Sequence, residues 1–291
     1  MGYGWISFTT DYGLTDGFVA ACHGTIARIA PQVRVIDVGH QVPPGDIRRG
    51  ALLLAQVVPY LPPAVHLAVV DPGVGTARHP IAVRTPRGLL VGPDNGLLPW
   101  AADALGGSTR VVLLDNADLF LTPVRRTFHG RDIFAPVAAR LAAGLDLADA
   151  GSPLDPADLA RLPEPVARSG DGWLEAEVLA VDRFGNLQLA AGAAALHRIP
   201  RRLEVAGTPA ERGETFGSVA SGALVVYADS ADQVAVAVNG GSAAHHLRVT
   251  PGDILRIAAA PAAGRTQTAT RGRTQTAGLA ATSDAEHDAR G

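Results

Sequence analysis

A carboxylate and a guanidinium stand close together in a glycine-containing segment at residues 70–80, VDPGVGTARHP. The apolar run HLAVV leads directly into Asp71, and two glycines separate that aspartate from Arg78. A carboxylate near a guanidinium stays ionised, and a histidine beside such a pair can take or position a proton. His129, in the segment RTFHGRDIF, is a candidate for that histidine. Such a trio is suited to activating a water molecule.

Three other kinds of site fit the same segment less well. A P-loop needs a Gly-Lys-Ser/Thr ending, and residues 70–80 contain no lysine. A dinucleotide fingerprint opens a helix, whereas the HPIAVRT at this position is typical of a strand. A metal ion could be held by Asp71, His79, His129 and Asp132, but Arg78 would place a fixed positive charge beside the cation. The pattern therefore favours the activation of water, with a metal site as the alternative.

Further polar residues follow the predicted strands, where ligands collect in open α/β sheets. Asp11 ends the first strand and is able to chelate a vicinal diol such as ribose, whereas Asp16 fits a helix cap equally well. Asp94, in GPDNG, is typical of a turn. Asp132 is either a site residue or the cap of the following helix, and His40, before a Pro-Pro turn, is expected to be structural.

Alternating strands and helices in the first half of the chain must position these residues. Apolar spacing predicts a helix that ends at Pro31, a second helix capped by Asp46, and a third helix at about 131–144. Short apolar runs predict the strands WISFTTD, RVIDVGH, VHLAVVD, HPIAVRTP, GLLVGPDNG and RVVLLDN. The alternation predicts an α/β domain at residues 1–158 with a central, largely parallel sheet flanked by helices.

The second half of the chain differs in composition. A stretch rich in proline, glycine and aspartate predicts a linker at residues 159–172. Short β-rich segments separated by turns predict a smaller all-β, barrel-like domain at residues 173–259. Residues 260–291 repeat GRTQTA, lack apolar periodicity and are predicted to form a disordered tail.

Composition argues against several classes of protein. The chain has 291 residues, 47% of them apolar, and a net charge of −3 without a basic stripe, which argues against nucleic-acid binding. No apolar run approaches the ~20 residues of a membrane span, and the first residues do not resemble a signal peptide. The single cysteine, Cys22, excludes an intramolecular disulfide and is expected to be a buried hydrophobe. We therefore expect a soluble cytoplasmic protein.

Seven motifs stand in order along the chain: FTTDYGLTDGFVA, VIDVGHQVPPGDIRRGA, VVDPGVGTARHPIAV, GPDNGLL, RTFHGRDIFAPVAARLA, VDRFGNLQL and VNGGSA. Together they resemble the S-adenosyl-L-methionine hydroxide adenosyltransferases, formerly a domain of unknown function, which are related to the fluorinase and chlorinase enzymes. The resemblance covers about residues 5–257 and implies two domains. It implies attack of water or hydroxide on C5′ of S-adenosylmethionine, giving adenosine and methionine, with no metal or organic cofactor.

The resemblance also implies roles for residues of both domains. Asp71, Arg78 and His129 correspond to the residues associated with the nucleophile, without deciding whether Asp71 or His129 is the base. The resemblance further implies a homotrimer with each active site between two subunits. The residues that correspond to substrate-binding positions are Asp11, Asp16, Asp182, Phe184, Asn186, Phe216, Ser230, Asn239 and Gly240.

The chain departs from the halogenating relatives at several positions. Asp71 would repel a halide ion, Gly130 replaces the halide-binding serine, and Gly45 replaces a tryptophan of the pocket wall. Ala231 replaces an arginine next to the carboxylate-contacting serine, which leaves the anchor of the methionine carboxylate open. The alternatives to a hydrolase are a non-catalytic S-adenosylmethionine- or adenosine-binding module and, less favoured, a halide-using transferase or a metal-dependent hydrolase.

Overall fold

The computed structural model describes residues 2–260, so the predicted tail lies outside the described residues apart from Ala260. No helix among the described residues is long and apolar enough to cross a membrane. The helices are α1 (Phe18–Ile29), α2 (Ile47–Val57), α3 (Pro99–Ala104), α4 (Ala135–Ala142) and α5 (Ala243–Leu247). The strands are β1 (Trp5–Thr10), β2 (Arg34–Gly39), β3 (Ala64–Val69), β4 (Pro80–Thr85), β5 (Gly88–Pro93), β6 (Arg110–Leu113), β7 (Ser152–Leu154), β8 (Ala167–Gly170), β9 (Trp173–Val181), β10 (Leu187–Gly192), β11 (Arg202–Val205), β12 (Thr208–Arg212), β13 (Leu224–Ala228), β14 (Gln233–Val238) and β15 (Ile254–Ala259).

The first sheet is mixed, whereas the sequence predicts a largely parallel one. Its strand order is β2-β1-β3-β5-β4-β6-β7, and β2, β1, β3 and β5 run parallel. β4 is antiparallel to both β5 and β6, and β7 is antiparallel to β6. The cause lies between β4 and β5, because a two-residue connection makes a hairpin but cannot form the crossover of a parallel pair. The parallel prediction therefore holds for one half of this sheet.

Helices cover both faces of the first sheet. α1 and α4 pack on the face where Phe8 of β1 is fully buried, and α2 and α3 pack on the opposite face with Val70. Asp46 caps α2 as predicted, since its carboxylate accepts a hydrogen bond from the Arg49 N–H at 2.9 Å. Cys22 lies fully buried on α1, where burial raises the pKa of its thiol to about 12. This thiol is therefore a packing group, as predicted.

The second sheet closes into a seven-stranded barrel, which confirms the predicted all-β, barrel-like fold. Its hydrogen-bonded order is β9-β10-β14-β13-β12-β11-β15, and β15 pairs again with β9. The interior is filled by leucine, valine, isoleucine and alanine side chains. β8, which falls inside the predicted linker, pairs with the beginning of β9.

Contacts from α2 join the first sheet to the barrel. The guanidinium of Arg48 donates to Glu177 of β9 at 2.6 Å. The amide of Gln56 donates to Gln188 of β10 at 2.6 Å, and Gln188 in turn donates to Asp229 at 2.5 Å. These contacts bring one side of α2 to the mouth of the barrel.

Candidate active site

The guanidinium of Arg78 connects the three residues that the sequence analysis groups together. Its Nε donates to Oδ1 of Asp71 at 2.9 Å, and its Nη2 donates to Oδ2 of the same carboxylate. Nη2 also donates to Nδ1 of His129 at 3.0 Å. The Arg78 and Asp71 side chains are only 10% and 5% exposed, so water screens their attraction weakly. Asp71, Arg78 and His129 thus form one hydrogen-bonded group.

Strand ends and a glycine position the aspartate and the arginine. Asp71 comes two residues after the end of β3, and the Asn95 amide donates to the carbonyl of Val70 at 2.9 Å, which fixes that strand end. Gly75 has a φ of +75°, and a Cβ there would lie 2.4 Å from the Arg126 carbonyl oxygen. Only glycine permits this approach, which brings the loop carrying Arg78 against the segment that leads to His129.

A buried carboxylate holds the segment around His129. His129 precedes a π-helical turn, Gly130–Phe134, that continues into α4. Asp132 is 1% exposed, and its carboxylate accepts hydrogen bonds from the Arg125 N–H at 2.8 Å and from Arg131 Nε at 2.6 Å. Asp132 lies inside the turn rather than before it, so the capping alternative for this residue is wrong. Its role is to fix the loop that carries His129.

The contact with Arg78 determines the protonation state of His129. A guanidinium only donates hydrogen bonds, so Nδ1 of His129 accepts, and the neutral ring carries its proton on Nε2. Burial and the positive charge of Arg78 lower the pKa of His129 below its ordinary value of 6.5, against the opposing charges of Asp71 and Asp132. His129 is therefore neutral at physiological pH.

Asp11 lies beside the Asp71 loop, whereas Asp16 is exposed. The carboxylate of Asp11 accepts a hydrogen bond from the Gly45 N–H at 2.8 Å. A Cβ on Gly45 would lie 3.7 Å from Pro72, so the Gly45 backbone stands close to the loop that begins with Asp71. The residue that begins α1 is Gly17, without a side-chain cap, so the capping alternative for Asp16 is also wrong.

A cavity of about 920 Å³ opens at the barrel and contains most of the predicted substrate-binding positions. Asp182 is held there by hydrogen bonds from the Phe184 N–H at 2.8 Å and the Asn186 side-chain amide at 2.8 Å. Phe184 is 71% exposed and Phe216 is 46% exposed, so two aromatic faces are open to solvent. The predicted residues that line this cavity are Asp182, Phe184, Asn186, Phe216, Ser230, Asn239 and Gly240.

Sequence reasoning did not identify several other residues that line the cavity. Arg49 and Gln56 come from α2, and Gln188, Tyr227 and Asp229 come from the barrel. Among the described residues that line it, Arg49 alone is a basic side chain. A charged residue in the first turn of a helix is ordinarily solvated, so the pattern DIRRGA gives no signal that Arg49 faces a cavity.

The described chain therefore carries two separate groups of predicted site residues. The nucleophile group of Asp71, Arg78 and His129 does not line the barrel cavity, and neither do Asp11 and Asp16.

The predicted alternative of a metal ion at the nucleophile group does not fit the geometry. The space between Asp71 and His129 is bridged by the Arg78 guanidinium, which would repel a cation. A different cluster joins His23, Asp37 and His40, where both imidazole Nε2 atoms lie 2.9 Å from the same Asp37 oxygen. These are hydrogen-bonding distances, and the burial of His40 agrees with its predicted structural role.

Substitution of Gly75 by alanine should destabilise the protein more than substitution of a glycine with equal backbone strain. Gly207 is the matched control, because its φ is +78° and nothing lies within 4 Å of a Cβ there. Gly207→Ala should cost about 1–2 kcal/mol of unfolding free energy, and Gly75→Ala about 1–3 kcal/mol more. Equal losses in urea denaturation would contradict the close approach of Gly75 to Arg126.

Comparisons with known proteins agree with the motifs. Models of the SAM hydroxide adenosyltransferase N-terminal and C-terminal domains match residues 6–151 and 176–256. An (R)-S-adenosyl-L-methionine hydrolase from Salinispora tropica is 64% identical over 88% of this chain and 98% of its own. A solved structure of an uncharacterized conserved protein from Thermotoga maritima is 35% identical, with a TM-score of 0.81 over 87% of this chain and 99% of its own.

A fluorinase from Actinopolyspora mzabensis is more distant, at 27% identity over 87% of this chain and 96% of its own. The relatives thus include both hydrolases and fluorinases, and the hydrolase has much the higher identity. Both domain models match in order, and together they span most of the described residues. The chain belongs to the SAM hydroxide adenosyltransferase family.

Proposed function

We propose that this protein is an S-adenosyl-L-methionine hydrolase that forms adenosine and L-methionine. The observation that carries the proposal is that the Arg78 guanidinium binds both the Asp71 carboxylate, which is 5% exposed, and the partly buried ring of His129. The hydrolase name of the Salinispora tropica relative supports the same reaction. No step of this reaction calls on a metal ion or an organic cofactor.

Catalysis of this reaction depends mainly on activating the nucleophile. S-adenosylmethionine is a sulfonium cation, so methionine leaves as a neutral thioether and needs no general acid. The oxygen of water attacks C5′, the C5′–S bond breaks, and the electron pair of that bond stays on sulfur. Arg78 stabilises the negative charge that develops on the water oxygen, and the buried setting strengthens this interaction.

The hydrogen bonds of Arg78 favour Asp71 over His129 as the group that takes the water proton. The Nδ1 lone pair of His129 is engaged by Arg78, and the other ring nitrogen carries a proton. A carboxylate offers about four acceptor positions, and Arg78 occupies part of them. Asp71 therefore accepts the proton as the C–O bond forms, and His129 orients Arg78 without charge.

The complete site forms between two copies of the chain, in a homotrimer. In support, the nucleophile group and the barrel cavity are separate in one chain. The exposed faces of Phe184 and Phe216 also lack the cover that an adenine ring and a second subunit would provide. Closure of this kind would exclude water other than the nucleophile.

Purified protein should convert S-adenosylmethionine into adenosine and methionine, measured by chromatography of the products. Asp71→Asn keeps the size of the side chain but removes the proton acceptor, and His129→Ala removes the partner of Arg78. Each change should lower kcat by about 100-fold or more with a small change in KM, since these groups act on the transition state. Near-normal kcat in both variants would contradict the assignment of the nucleophile group.

The rate should depend on the protonation of His129. Protonation of Nδ1 would break the hydrogen bond from Arg78, so activity requires the neutral ring. Because the pKa of His129 lies below 6.5, the rate should fall only as pH drops through that lowered value. A plot of kcat/KM against pH should thus have an acid midpoint below 6.5, and a midpoint above 6.5 would contradict the assignment of His129 as a neutral, partly buried ring.

Arg49 supplies the positive charge that binds the methionine carboxylate. Ala231 stands where the halogenating relatives have an arginine, so that position supplies no charge. Arg49 and Ser230 line the same cavity. The two aspartates of that cavity accept hydrogen bonds from protein groups, Asp182 from Asn186 and Asp229 from Gln188. The Arg49 guanidinium makes no hydrogen bond or ion pair with any described residue, so it is available to a ligand.

Arg49→Gln should raise KM for S-adenosylmethionine by about 10-fold or more, because a charge-assisted hydrogen bond is lost. The affinity for adenosine, which has no carboxylate, serves as the matched control and should stay unchanged in calorimetry. An equal loss of affinity for S-adenosylmethionine and for adenosine would contradict this role of Arg49 and indicate a structural role.

A further inference from the structure

We propose that the hydroxyl of Tyr12 is an additional positioning group for the attacking water, and that Gly130 provides the space that this hydroxyl occupies. This inference rests on the proposed hydrolase function. It concerns two residues that follow Asp11 and His129 directly in the chain.

The ring of Tyr12 is fixed by aromatic neighbours. It lies edge-on to Phe128, with the ring centroids 5.7 Å apart, and its centroid lies 6.0 Å from that of Phe18. Phe18 and Phe128 also meet edge to face at 5.2 Å. The three rings form a cluster between the end of β1, the start of α1 and the segment before His129, so the hydroxyl has a defined position.

The hydroxyl stands where a side chain at residue 130 would begin. A Cβ on Gly130 would lie 2.0 Å from Tyr12 Oη and 3.0 Å from the ring carbon that bears it. No pair of unbonded atoms tolerates such a distance, so the present position of Tyr12 requires glycine at residue 130. Since Gly130 is next to His129, the hydroxyl is placed at the edge of the nucleophile group.

The same hydroxyl has no partner within the described part of the chain. The backbone N–H of Tyr12 donates to Thr10, but the phenol oxygen makes no hydrogen bond to any of residues 2–260. A phenol in a half-buried aromatic setting ordinarily finds a partner. The unpaired hydroxyl beside His129 is therefore suited to a water molecule that binds there during the reaction.

Burial, with a smaller contribution from nearby charges, keeps this hydroxyl protonated. Burial raises its pKa well above the ordinary value of 10.0, and the negative charges of Asp11 and Asp71 raise it further, against the effect of Arg78. Tyr12 is thus a neutral group at every working pH and donates a hydrogen bond to the water oxygen. Asp71 takes the proton of that water, and the hydroxyl of Tyr12 restricts the direction from which its oxygen reaches C5′.

The test compares Tyr12→Phe with the wild-type protein in S-adenosylmethionine hydrolysis. Loss of the hydroxyl should lower kcat by about 10-fold to 100-fold and leave KM for S-adenosylmethionine and the affinity for adenosine unchanged. Tyr60→Phe is the control, because Tyr60 is 80% exposed and should tolerate the change without loss of rate. Thermal unfolding of each variant shows whether it is folded.

The variant Gly130→Ala tests the proposal independently of Tyr12→Phe, because the new Cβ displaces the Tyr12 hydroxyl without removing it. We expect a similar loss of kcat, and in the double variant Tyr12→Phe/Gly130→Ala a loss smaller than the product of the two single losses, because both changes act on the same hydroxyl. A Tyr12→Phe protein with wild-type kcat would overturn this inference alone, as would losses that multiply in the double variant. A wild-type protein that forms no adenosine would overturn the proposed function and this inference with it.

Discussion

The shared guanidinium of Arg78 is the interaction on which the candidate site depends. One edge of this group binds the Asp71 carboxylate, and one of its nitrogen atoms also binds His129. The contact with His129 fixes which ring nitrogen is protonated, and the contact with Asp71 fixes the orientation of the carboxylate. Because all five donors of a guanidinium lie in one plane, a lysine could not hold both partners in this way.

The surrounding fold serves to bring these three side chains to one point. The end of β3 presents Asp71, and the turn at Gly75 carries the following loop against the segment before His129. The buried Asp132 then fixes that segment by accepting the Arg125 N–H. The second group of residues belongs to the barrel, which α2 holds through Arg48 and Gln56. A reaction that joins the two groups would have its nucleophile on one domain and its substrate pocket on another.

Much of this arrangement could be predicted from sequence, because the signals are local. Apolar runs that end in polar residues identified six of the seven strands of the first sheet, β1 to β6, and the ends of those strands indicated Asp71 and its partner Arg78. The direction of β4 was predicted incorrectly because apolar periodicity carries no information on strand direction, although the two-residue link between β4 and β5 does. The strands β7, β8 and β12 were not predicted because their sequences, SPL, ARSG and TPAER, contain no apolar run.

The residues that were missed act through contacts distant in sequence. Tyr12 matters because its hydroxyl meets Gly130, more than one hundred positions along the chain, and neither residue is unusual in its own segment. Arg49 is one of two adjacent arginines, and only the packing of α2 on the barrel separates the one that pairs with Glu177 from the one that faces the cavity. No local pattern distinguishes them.

The central claim is that water is the nucleophile and C5′ is the carbon attacked. The most direct measurement is hydrolysis of S-adenosylmethionine by the purified protein in water labelled with oxygen-18, followed by mass spectrometry of both products. The account predicts one labelled oxygen in adenosine, at its 5′ position, and none in methionine. Unlabelled adenosine, or label in methionine, would contradict it.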